Sequence, residues 1–468
     1  MSYTPQVIGG SNCTSTAYFY KACNFPFALQ RNAGAMDIIV LGAGAAGLMA
    51  AKKLLGAGLN VCILEARNRL GGRIQTFSID AVDGYEGGAE FIHGDLEATM
   101  QILAEAGLEK HPLTGETWQV ANGKWSQENE FFAYANEVTE KLKLVEDDIS
   151  IATFINKYFA DEKYETLRKS LTSYIEGYYS GEIAMTSAKA FLQEWQSEDD
   201  QQYRPAGGYG KMIQYLRDSC AKAGADIKLE TVVKTIRWTK GEVEVIDEIG
   251  HRYTAKRVII TVPLGVWTAE EHAKGAIQFI PELPAKKEAA KQMGFGAVIK
   301  VLLKFEENFY YDELLNRSGK HLSTLHMAIT DNPIPTWWTQ YPAPSTLLTG
   351  WLSGPKAAEI KDHDDTIILA ESLRSLQKMF GINKHRLQEK LQWFKIFNWT
   401  IDPYTRGSYS YSTLDTYVAR RLLAEPCEDT LFFAGEALYD GPEMGTVEAA
   451  LTSGAEVAAA ILAGSKAL

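Results

Sequence analysis

A short apolar segment that runs directly into a glycine-rich turn constrains the fold more than any other feature. Residues 37–41 read DIIVL, and the sequence GAGAAG occupies 42–47. A continuous apolar run of this length is typical of a strand buried on both faces, as in a parallel sheet. The glycines that follow predict a tight turn from that strand into a helix.

The next segments complete a strand–helix–strand unit. Leu48, Ala51 and Leu55 recur at helical spacing, and glycines end the helix. Residues 60–64, NVCIL, predict a second buried strand, and Glu65 stands at its end. The sequence therefore predicts an α/β fold that opens with a Rossmann-like β-α-β unit.

The spacing of Gly42, Gly44 and Gly47 is that of a dinucleotide-binding turn. Gly42 permits the turn, Gly44 lets a pyrophosphate approach the backbone, and Gly47 lets the helix pack close to the strand. The helix N-terminus offers unpaired N–H groups to phosphate. Glu65, 23 residues after Gly42, can accept hydrogen bonds from ribose hydroxyls. A glycine turn without a ligand is the alternative, and the complete unit disfavours it.

Two pairs of glycines follow this carboxylate. Residues 65–73 read EARNRLGGR, and a second pair at 87–88 precedes Ala89-Glu90-Phe91. Paired glycines let backbone lie against a flat ring or a diphosphate. The pattern resembles the flavin-dependent amine oxidase family, which includes monoamine oxidases, polyamine oxidases and lysine-specific histone demethylases. The resemblance implies FAD rather than a nicotinamide cofactor.

The carboxyl-terminal segment resembles the second FAD motif of that family. Residues 431–454 read LFFAGEALYDGPEMGTVEAALTSG. An ordinary amphipathic helix would explain the end of this segment but not the preceding FFAGE. For Val233, core packing is an open alternative. The cofactor-binding residues that the resemblance implies are Gly42, Gly44, Ala46, Gly47, Glu65, Ala66, Arg67, Gly72, Arg73, Gly88, Ala89, Glu90, Phe91, Val233, Gly435, Glu436, Thr446 and Val447.

Lys300 is the sharpest catalytic candidate. It lies in the apolar segment 296–305, GAVIKVLLKF, where an ammonium needs water, a cavity or a partner. Strand alternation puts Lys300 and Lys304 on one face, so a solvated strand face is the simple interpretation. In the family, a lysine at this place holds a water against flavin N5, and the resemblance favours that role.

Residues 399–411, WTIDPYTRGSYSY, resemble the family's substrate-facing motif. Trp399 and Tyr409 are catalytic candidates, since an aromatic wall attracts an amine; aromatic core packing is the alternative. Ser408 stands where monoamine oxidases carry the cysteine that binds flavin, so we expect non-covalent FAD. Thr446 stands where they carry a second cage tyrosine, and Tyr439 is a candidate to replace it at the substrate.

The loop at 88–94, GAEFIHG, resembles the flavin-contacting loop of polyamine oxidases. Glu90 and His93 are candidates to meet a distal ammonium of the substrate or to move a proton near neutral pH. A surface carboxylate and a loop histidine are equally good interpretations.

The chain pattern predicts one domain assembled from separated segments. Further strands are predicted at 227–238, 243–246, 258–262 and 431–434, and a mainly helical interval at 96–204. We expect an FAD-binding domain from 36–95, 205–268 and 425–468, and an inserted α+β substrate-binding domain from 96–204 and 269–424. Residues 1–35 are interpreted as an irregular tail.

Composition limits the partners. The formal charge of −12 offers no basic footprint for nucleic acid and favours a small cationic amine. Five cysteines without a C-x-x-C motif favour neither disulfides nor a metal site, so we expect a reducing, cytoplasmic location. No segment reaches the apolar length of a membrane span, so no membrane partner is expected. The oligomeric state is left open.

The resemblance implies an oxidase of primary or secondary amines, monoamine or polyamine. Hydride passes from the amine α-carbon to flavin N5, water hydrolyses the imine, and O2 reoxidises the flavin to give hydrogen peroxide. An L-amino-acid oxidase or another flavin oxidoreductase of this fold is the alternative, with Arg204 and Arg406 as candidates for the substrate carboxylate. A non-catalytic FAD-binding scaffold is a further alternative, which Lys300, Trp399 and Tyr409 disfavour. Histone demethylation is disfavoured because the long helical hairpin insertion of that branch is missing.

Overall fold

The computed structural model describes residues 36–80, 82–121, 123–127, 134–197, 201–310 and 322–465. The irregular tail predicted for residues 1–35 lies outside this part of the chain. The described strands, in chain order, are β1 Met36–Leu41, β2 Val61–Leu64, β3 Thr76–Ile79, β4 Val82–Glu86, β5 Ile92–His93, β6 Lys110–Pro112, β7 Glu116–Ala121, β8 Lys124–Ser126, β9 Gln202–Pro205, β10 Asp226–Lys228, β11 Val233–Thr239, β12 Glu242–Asp247, β13 Arg252–Ile260, β14 Gln278–Ile280, β15 Gly294–Phe295, β16 Val298–Phe305, β17 Leu325–Thr330, β18 Thr336–Trp338, β19 Leu347–Ser353, β20 Leu391–Asn398, β21 Ser410–Tyr411 and β22 Leu431–Phe433.

The helices alternate with these strands. Two short 3-10 turns, Glu162–Tyr164 and Glu436–Leu438, accompany them. The described α-helices are α1 Ala45–Gly56, α2 Glu97–Ala106, α3 Ala135–Leu142, α4 Ile151–Tyr158, α5 Glu165–Gly177, α6 Ala188–Ser197, α7 Gly210–Lys222, α8 Leu264–Trp267, α9 Pro284–Gln292, α10 Gly354–Glu359, α11 Asp365–Phe380, α12 Lys384–Lys390, α13 Thr416–Ala424 and α14 Val447–Ser465.

The first sheet carries the predicted β-α-β unit. Its strands run in the order β10-β2-β1-β13-β12-β11-β14, and β22 also pairs with β13. Strands β10, β2, β1, β13 and β22 are parallel, whereas β13, β12 and β11 form an antiparallel meander. The α/β fold is thus confirmed. Because parallel strands end at the same edge, the turns after β1, β2 and β22 lie together.

The alternating segment 227–238 was predicted as one strand, and this prediction is wrong. Strands β10 and β11 are separated by a turn in which Glu230 has a positive φ of 52°. The backbone N–H groups of Glu230 and Thr231 donate to the carbonyls of Arg67 and Glu65, both at 2.9 Å. The chain leaves the sheet edge at this point and packs against the segment that follows β2.

Helices cover both faces of the first sheet. Alternate residues of β1 point to opposite sides, so that Ile38 and Val40 pack against α1, α2, α7 and α14. Ile39 and Leu41 pack on the other side, where α9 and α13 contribute. The wholly apolar sequence of β1 follows from this burial on both faces. Helix α2 belongs to this core although it lies in the interval 96–204, and the domain boundaries stay a prediction.

The second sheet is mixed and has the order β20-β16-β19-β18-β17-β7-β8. One of its faces packs on α10, α11 and α12. Strands β7 and β8 come from the interval 96–204, which was predicted to be mainly helical. Helices α3 to α6 of that interval form a separate apolar cluster beside the sheet.

Helix α14 packs against α1 and α2 in the core beside the first sheet. It passes by length and composition as a membrane span, with a mean hydropathy of 1.3 over Val447–Gly464, so the expectation that no segment does so is wrong. A core helix meets the same criteria, and α14 packs Leu451 and Ile461 into the core against α1. Near its start, Glu448 accepts hydrogen bonds from the backbone N–H groups of Ala98 and Thr99 in α2, at 2.8 and 2.7 Å.

Gly454→Ala is expected to destabilise the protein by about 1–3 kcal/mol, the usual cost of adding a methyl group to a packed core. A Cβ on Gly454 would lie 2.2 Å from the carbonyl oxygen of Ala46, so α14 and α1 must separate. Urea unfolding measures the change.

Gly464→Ala is the matched control in the same helix. A Cβ there meets only Asp429 Oδ1 at 3.8 Å, and alanine favours a helix over glycine. Equal unfolding midpoints for the two variants would contradict the tight packing of α1 on α14.

Candidate functional site

A large cavity opens where the carboxyl edge of the first sheet meets the second sheet. Its volume is about 1220 Å³, above the range of about 300–1,000 Å³ for ordinary ligand pockets. The cavity therefore has room for a large cofactor together with a small substrate. The sequence-predicted residues that line it are Gly42, Gly44, Ala46, Glu65, Ala66, Arg67, Gly72, Arg73, Gly88, Ala89, Glu90, Phe91, His93, Val233, Lys300, Trp399, Tyr409, Gly435, Glu436, Thr446 and Val447.

Two predicted site residues do not line this cavity. A Cβ on Gly47 would lie 2.0 Å from the carbonyl oxygen of Gly42, so Gly47 serves the close packing of helix on strand. The hydroxyl of Tyr439 donates to Glu443 at 2.8 Å, and the ring lies outside the cavity lining. Because Glu443 lines the cavity, Tyr439 lies one hydrogen bond behind the cavity wall, and its assignment to the substrate stays a prediction.

The N-terminus of α1 forms an anion-binding end of the cavity. Its N-cap, Gly44, has no side-chain hydrogen bond, and the first turn has no acidic residue. The Glu65 carboxylate accepts hydrogen bonds from the N–H groups of Ala43 at 2.8 Å and Arg67 at 2.9 Å, which fixes the turns after β1 and β2. Unpaired N–H groups at a helix start, beside a carboxylate, suit a phosphate attached to a ribose.

An ion pair joins the two motifs that resemble FAD-binding segments. Arg73 Nη1 lies 2.7 Å from Glu436 Oε1 and also donates to the carbonyl of Ser408 at 2.7 Å. The Ser410 hydroxyl donates to the other oxygen of Glu436. The segments after β2, before β21 and after β22 are thereby held at one place.

The residues present fit a flavin dinucleotide. A Cβ on Gly44 would meet only the Gly71 carbonyl oxygen, at 4.0 Å, so a side chain there would fill the space beside the helix N-terminus. Ser408 is buried and lines the cavity, and its hydroxyl has no partner within the protein. Buried polar atoms normally have a partner, so this hydroxyl is available to a ligand. No cluster that could hold a metal ion occurs among the described residues.

Lys300 is buried in the centre of β16, with a side chain 1% exposed. Its ammonium lies 2.7 Å from Glu90 Oε2 and donates to the carbonyl of Gly88 at 3.0 Å. The interpretation as a solvated strand face is therefore wrong for Lys300. Lys304, on the same face, pairs instead with the largely exposed Asp80.

Hydrogen-bond donors from three strands and one loop surround the Glu90 carboxylate. Its Oε1 accepts from Arg204 at 3.0 Å, Trp338 at 3.0 Å and Gln340 at 3.3 Å, while Oε2 accepts from Lys300. Burial alone raises a carboxyl pKa, but Lys300 and Arg204 outweigh it and hold the pKa of Glu90 at about 2. The structure thus places Glu90 in ion pairs with Lys300 and Arg204, and its assignment to a substrate ammonium stays a prediction.

His93 lines the cavity and shares a hydrogen bond of 3.2 Å between its Nδ1 and the Tyr178 hydroxyl. Burial lowers the pKa of His93 to about 4, since the charged ring is disfavoured away from water. The lowered pKa does not favour proton transfer by His93 near neutral pH, and that role stays a prediction. The neutral ring remains available as a hydrogen-bonding group.

Trp399 and Tyr409 are fixed as walls of the cavity. Trp399 Nε1 donates to the carbonyl of Gly87 at 2.8 Å. The Tyr409 hydroxyl donates to the carbonyl of Tyr178, and burial raises its pKa to about 12. Tyr409 also stacks on Trp351, with ring centroids 6.4 Å apart and an interplanar angle of 15°. The hydroxyl of Tyr409 thus stays protonated, and its ring serves as surface.

Sequence reasoning missed several residues of the cavity wall. Trp338 and Trp351 come from β18 and β19 of the second sheet, and Trp351 is the cross-strand partner of Lys300. His326 lines the cavity from β17, and its buried Nδ1 has no partner within the protein. The pairing of Trp351 with Lys300 depends on sheet register, which no local pattern in the sequence specifies.

The two arginines proposed for a substrate carboxylate do not line the cavity. Arg204 donates to Glu90 and to the carbonyls of Thr339 at 2.9 Å and Tyr341 at 3.1 Å. Arg406 donates to the carbonyl of Lys274 at 2.8 Å. Neither guanidinium is positioned to hold a carboxylate in the cavity.

The chain belongs to the family described as flavin containing amine oxidoreductase, whose model matches residues 45–462. The resemblance inferred from the sequence motifs is confirmed. Membership implies a flavin cofactor.

Relatives of known sequence include demethylases and oxidases. Lysine-specific histone demethylase 1 homolog 2 of Oryza sativa subsp. japonica is 27% identical over 465 residues, covering 93% of this chain and 58% of that protein. Polyamine oxidase 2 of Arabidopsis thaliana is 27% identical over 450 residues, covering 86% of this chain and 83% of that protein. Across four demethylase relatives the chain spans only 50% to 58% of their length.

Solved structures share the fold. Wild-type putrescine oxidase bound to putrescine matches with a TM-score of 0.75 at 21% identity, over 92% of this chain and 99% of that chain. Cyclohexylamine oxidase from Brevibacterium oxydans IH-35A matches with a TM-score of 0.75 at 19% identity, over 92% and 100%. At these identities the likeness establishes the shared fold alone.

Glu86 has a buried carboxyl group just before the loop that carries Glu90. Its Oε1 accepts from the Tyr209 N–H at 2.6 Å and the Thr76 hydroxyl at 2.7 Å, while Oε2 has no partner within the protein. Burial raises its pKa from 4.5 to about 7, which the hydrogen bond from Thr76 and the charge of Lys300 offset only in part.

The difference in stability between Glu86→Gln and the wild type is therefore expected to shift in favour of the variant as pH rises. Between pH 4.5 and about 7 the unfolded chain loses the proton that folded Glu86 retains, so wild-type stability falls through this window. Glutamine keeps the acceptor and does not ionise. Melting temperatures at pH 5 and pH 8 measure the effect, with the exposed Glu282→Gln as the control. A difference between Glu86→Gln and wild type that does not change with pH would contradict the assignment.

Proposed function

We propose that the chain binds FAD without a covalent bond and oxidises small primary or secondary amines, monoamines or polyamines, with O2 as the final electron acceptor. The observation that carries the proposal is that Lys300, Trp399 and Tyr409 line the same cavity as both motifs that resemble FAD-binding segments. Relatives named for polyamine, putrescine and cyclohexylamine oxidation support an amine substrate.

When bound, FAD would take a hydride from the amine α-carbon and pass electrons to O2, which yields an imine for hydrolysis and hydrogen peroxide. The N-terminus of α1 and Glu65 would hold the adenosine and pyrophosphate part. Glu436, which Arg73 holds in place, and the unpaired hydroxyl of Ser408 would contact the remaining, flavin-bearing part of the cofactor. Thr446 caps α14 by accepting from the Ala449 N–H at 3.2 Å, which fixes that helix N-terminus at the cavity.

The protein's groups have distinct tasks at the reacting end. Two of the three N–H groups of Lys300 are engaged by Glu90 and Gly88, and the third can hold a water in the cavity. Tyr409 and Trp351 present aromatic surface that attracts an amine and also accommodates its neutral form. Because its hydroxyl is committed to the Tyr178 carbonyl, Tyr409 orients the substrate and does not exchange protons.

The oxidation of α-amino acids is disfavoured on structural grounds. A buried carboxylate needs a paired cation. Of the arginines that line the cavity, Arg73 is paired with Glu436, and Arg67 contacts Asp402 and the Thr405 hydroxyl. Among the described residues, no arginine is left to receive a substrate carboxylate in the cavity.

We also propose a reducing, cytoplasmic location for the enzyme. Cys62, Cys220 and Cys427 are free thiols, which agrees with the reducing, cytoplasmic location proposed from the cysteine content. The location stays a proposal.

Amines are expected to bleach the visible flavin absorption under anaerobic conditions, while their α-carboxylated counterparts do not. Matched pairs isolate the carboxylate: phenethylamine against phenylalanine, and putrescine against ornithine. Stopped-flow absorption and peroxide release after admission of air measure the reaction. Bleaching by the amino acids alone would support an amino-acid oxidase, and the absence of any bleaching would support a scaffold.

Acid precipitation is expected to release the yellow cofactor into the supernatant, because Ser408 offers no thiol for a covalent bond. Ser408→Ala is the matched control and should release the same fraction. Absorption spectra of the supernatant and pellet measure the distribution. Colour that remains with the washed pellet would show a covalent link at another residue.

A further inference from the structure

Three charged side chains lie together at the cavity wall, and two of them are buried. Lys300, Glu90 and Arg204 have side chains 1%, 3% and 13% exposed. Lys300 approaches one carboxylate oxygen at 2.7 Å, and Arg204 approaches the other at 2.9 Å. Two cations against one carboxylate leave the cluster with one positive charge, which Lys300 presents to the cavity.

Among the described residues, the groups in contact with Lys300 include no second counter-ion of full charge. The Gly88 carbonyl accepts one hydrogen bond, and the Trp338 ring lies 5.3 Å from the ammonium. The cross-strand partners Trp351 and Phe397 carry no charge.

The other titratable groups nearby are weakly charged or neutral near pH 7. Burial raises the pKa of Glu86 to about 7 and lowers the pKa of His326 and of His93 to about 4. Only Glu90 therefore balances the ammonium over the whole neutral range.

We propose that Glu90 is a positioning residue that keeps Lys300 an ammonium at the cavity wall throughout the neutral pH range, so that Lys300 acts by its charge and its N–H groups and not as a proton acceptor. The inference rests on the proposed function, because it concerns the lysine predicted to serve the flavin end of the cavity. In this role Glu90 contacts Lys300 and not the substrate.

The physical reason is the cost of an unpaired buried charge. An ammonium taken out of water is retained only beside a counter-charge. Without the Glu90 carboxylate, Lys300 and Arg204 would face each other as like charges. A guanidinium does not deprotonate in proteins, so the lysine is the group that would lose its proton.

Glu90→Gln tests the inference, since glutamine keeps the size and one acceptor but removes the charge. The test uses the FAD-bound protein without substrate. As pH is varied, the visible absorption spectrum of the flavin responds to a change in the charge of a neighbouring group such as Lys300. The midpoint of that change is expected to fall by about 1–3 pH units in Glu90→Gln, the size expected when an opposite charge within hydrogen-bonding distance is removed. The pH profile of anaerobic amine oxidation should shift in the same direction.

Two further variants show whether the effect passes through Lys300. Lys300→Met and Glu90→Gln/Lys300→Met should both lack the shifted transition, because neither has the ammonium. Asp80→Asn is the matched control: it removes the partner of Lys304 on the same strand face and should keep the wild-type midpoint.

Two outcomes would overturn the inference. One is a Glu90→Gln protein that binds FAD and titrates as the wild type does, which would leave Glu90 a merely structural residue. The other is an equal shift in Glu90→Gln and in the double variant. If Glu90→Gln takes up no FAD, Glu90→Asp decides: a smaller shift in the same direction supports the inference, and a wild-type profile rejects it. The spectral titration needs no substrate, so a failure of the amine oxidase proposal is read separately.

Discussion

The ion pair between Arg73 and Glu436 is the interaction on which the arrangement of the cavity depends. It connects side chains that are 363 residues apart in sequence. Arg73 follows the second strand of the first sheet, and Glu436 follows the last strand that joins it. The same arginine also donates to the Ser408 carbonyl, so three segments with different neighbours in sequence share one point. Low accessibility to water makes such a contact strong when both partners are present and costly when one is removed.

Other ion pairs around the cavity also connect segments that are distant in sequence. Lys300 is matched by Glu90, Arg204 by the same carboxylate, and Arg67 by Asp402. The arginines in the described cavity wall are already paired with carboxylates of the protein, and Lys300 shares Glu90 with Arg204. The wall also offers aromatic surface from Trp338, Trp351, Trp399 and Tyr409, for which an amine is a better match than a carboxylate. The chemistry proposed for the chain thus follows as much from the charges that are occupied as from the groups that are free.

Local patterns predicted the parts of the fold that are themselves local. The apolar run of β1, the glycine turn and Glu65 fall within one β-α-β unit, and the structure has each of them where the sequence indicates. The segment 227–238 failed because a single residue, Glu230, adopts a left-handed conformation that apolar alternation does not reveal. Boundaries and breaks of this kind depend on contacts with a distant loop.

The site was predictable as a set of residues but not as a set of contacts. The motifs named Lys300 and Glu90, yet they lie 210 residues apart, and only the folded chain shows that one is the partner of the other. The low pKa of His93 depends on burial by residues of other segments, and the wall residue Trp351 depends on strand register. Tyr439 contacts the cavity wall through its hydrogen bond to Glu443, a contact that the sequence motif does not reveal.

The late position of β22 and α14 has a consequence for biosynthesis. The strand pairs with β13 at the centre of the first sheet, and the helix covers α1, although both lie beyond residue 430. Until β22 and α14 emerge from the ribosome, the earlier strands and the glycine turn lack the strand that pairs with β13 and the helix that covers α1. Domains usually fold as units, so the nucleotide end of the cavity is completed only after β22 and α14 have been translated.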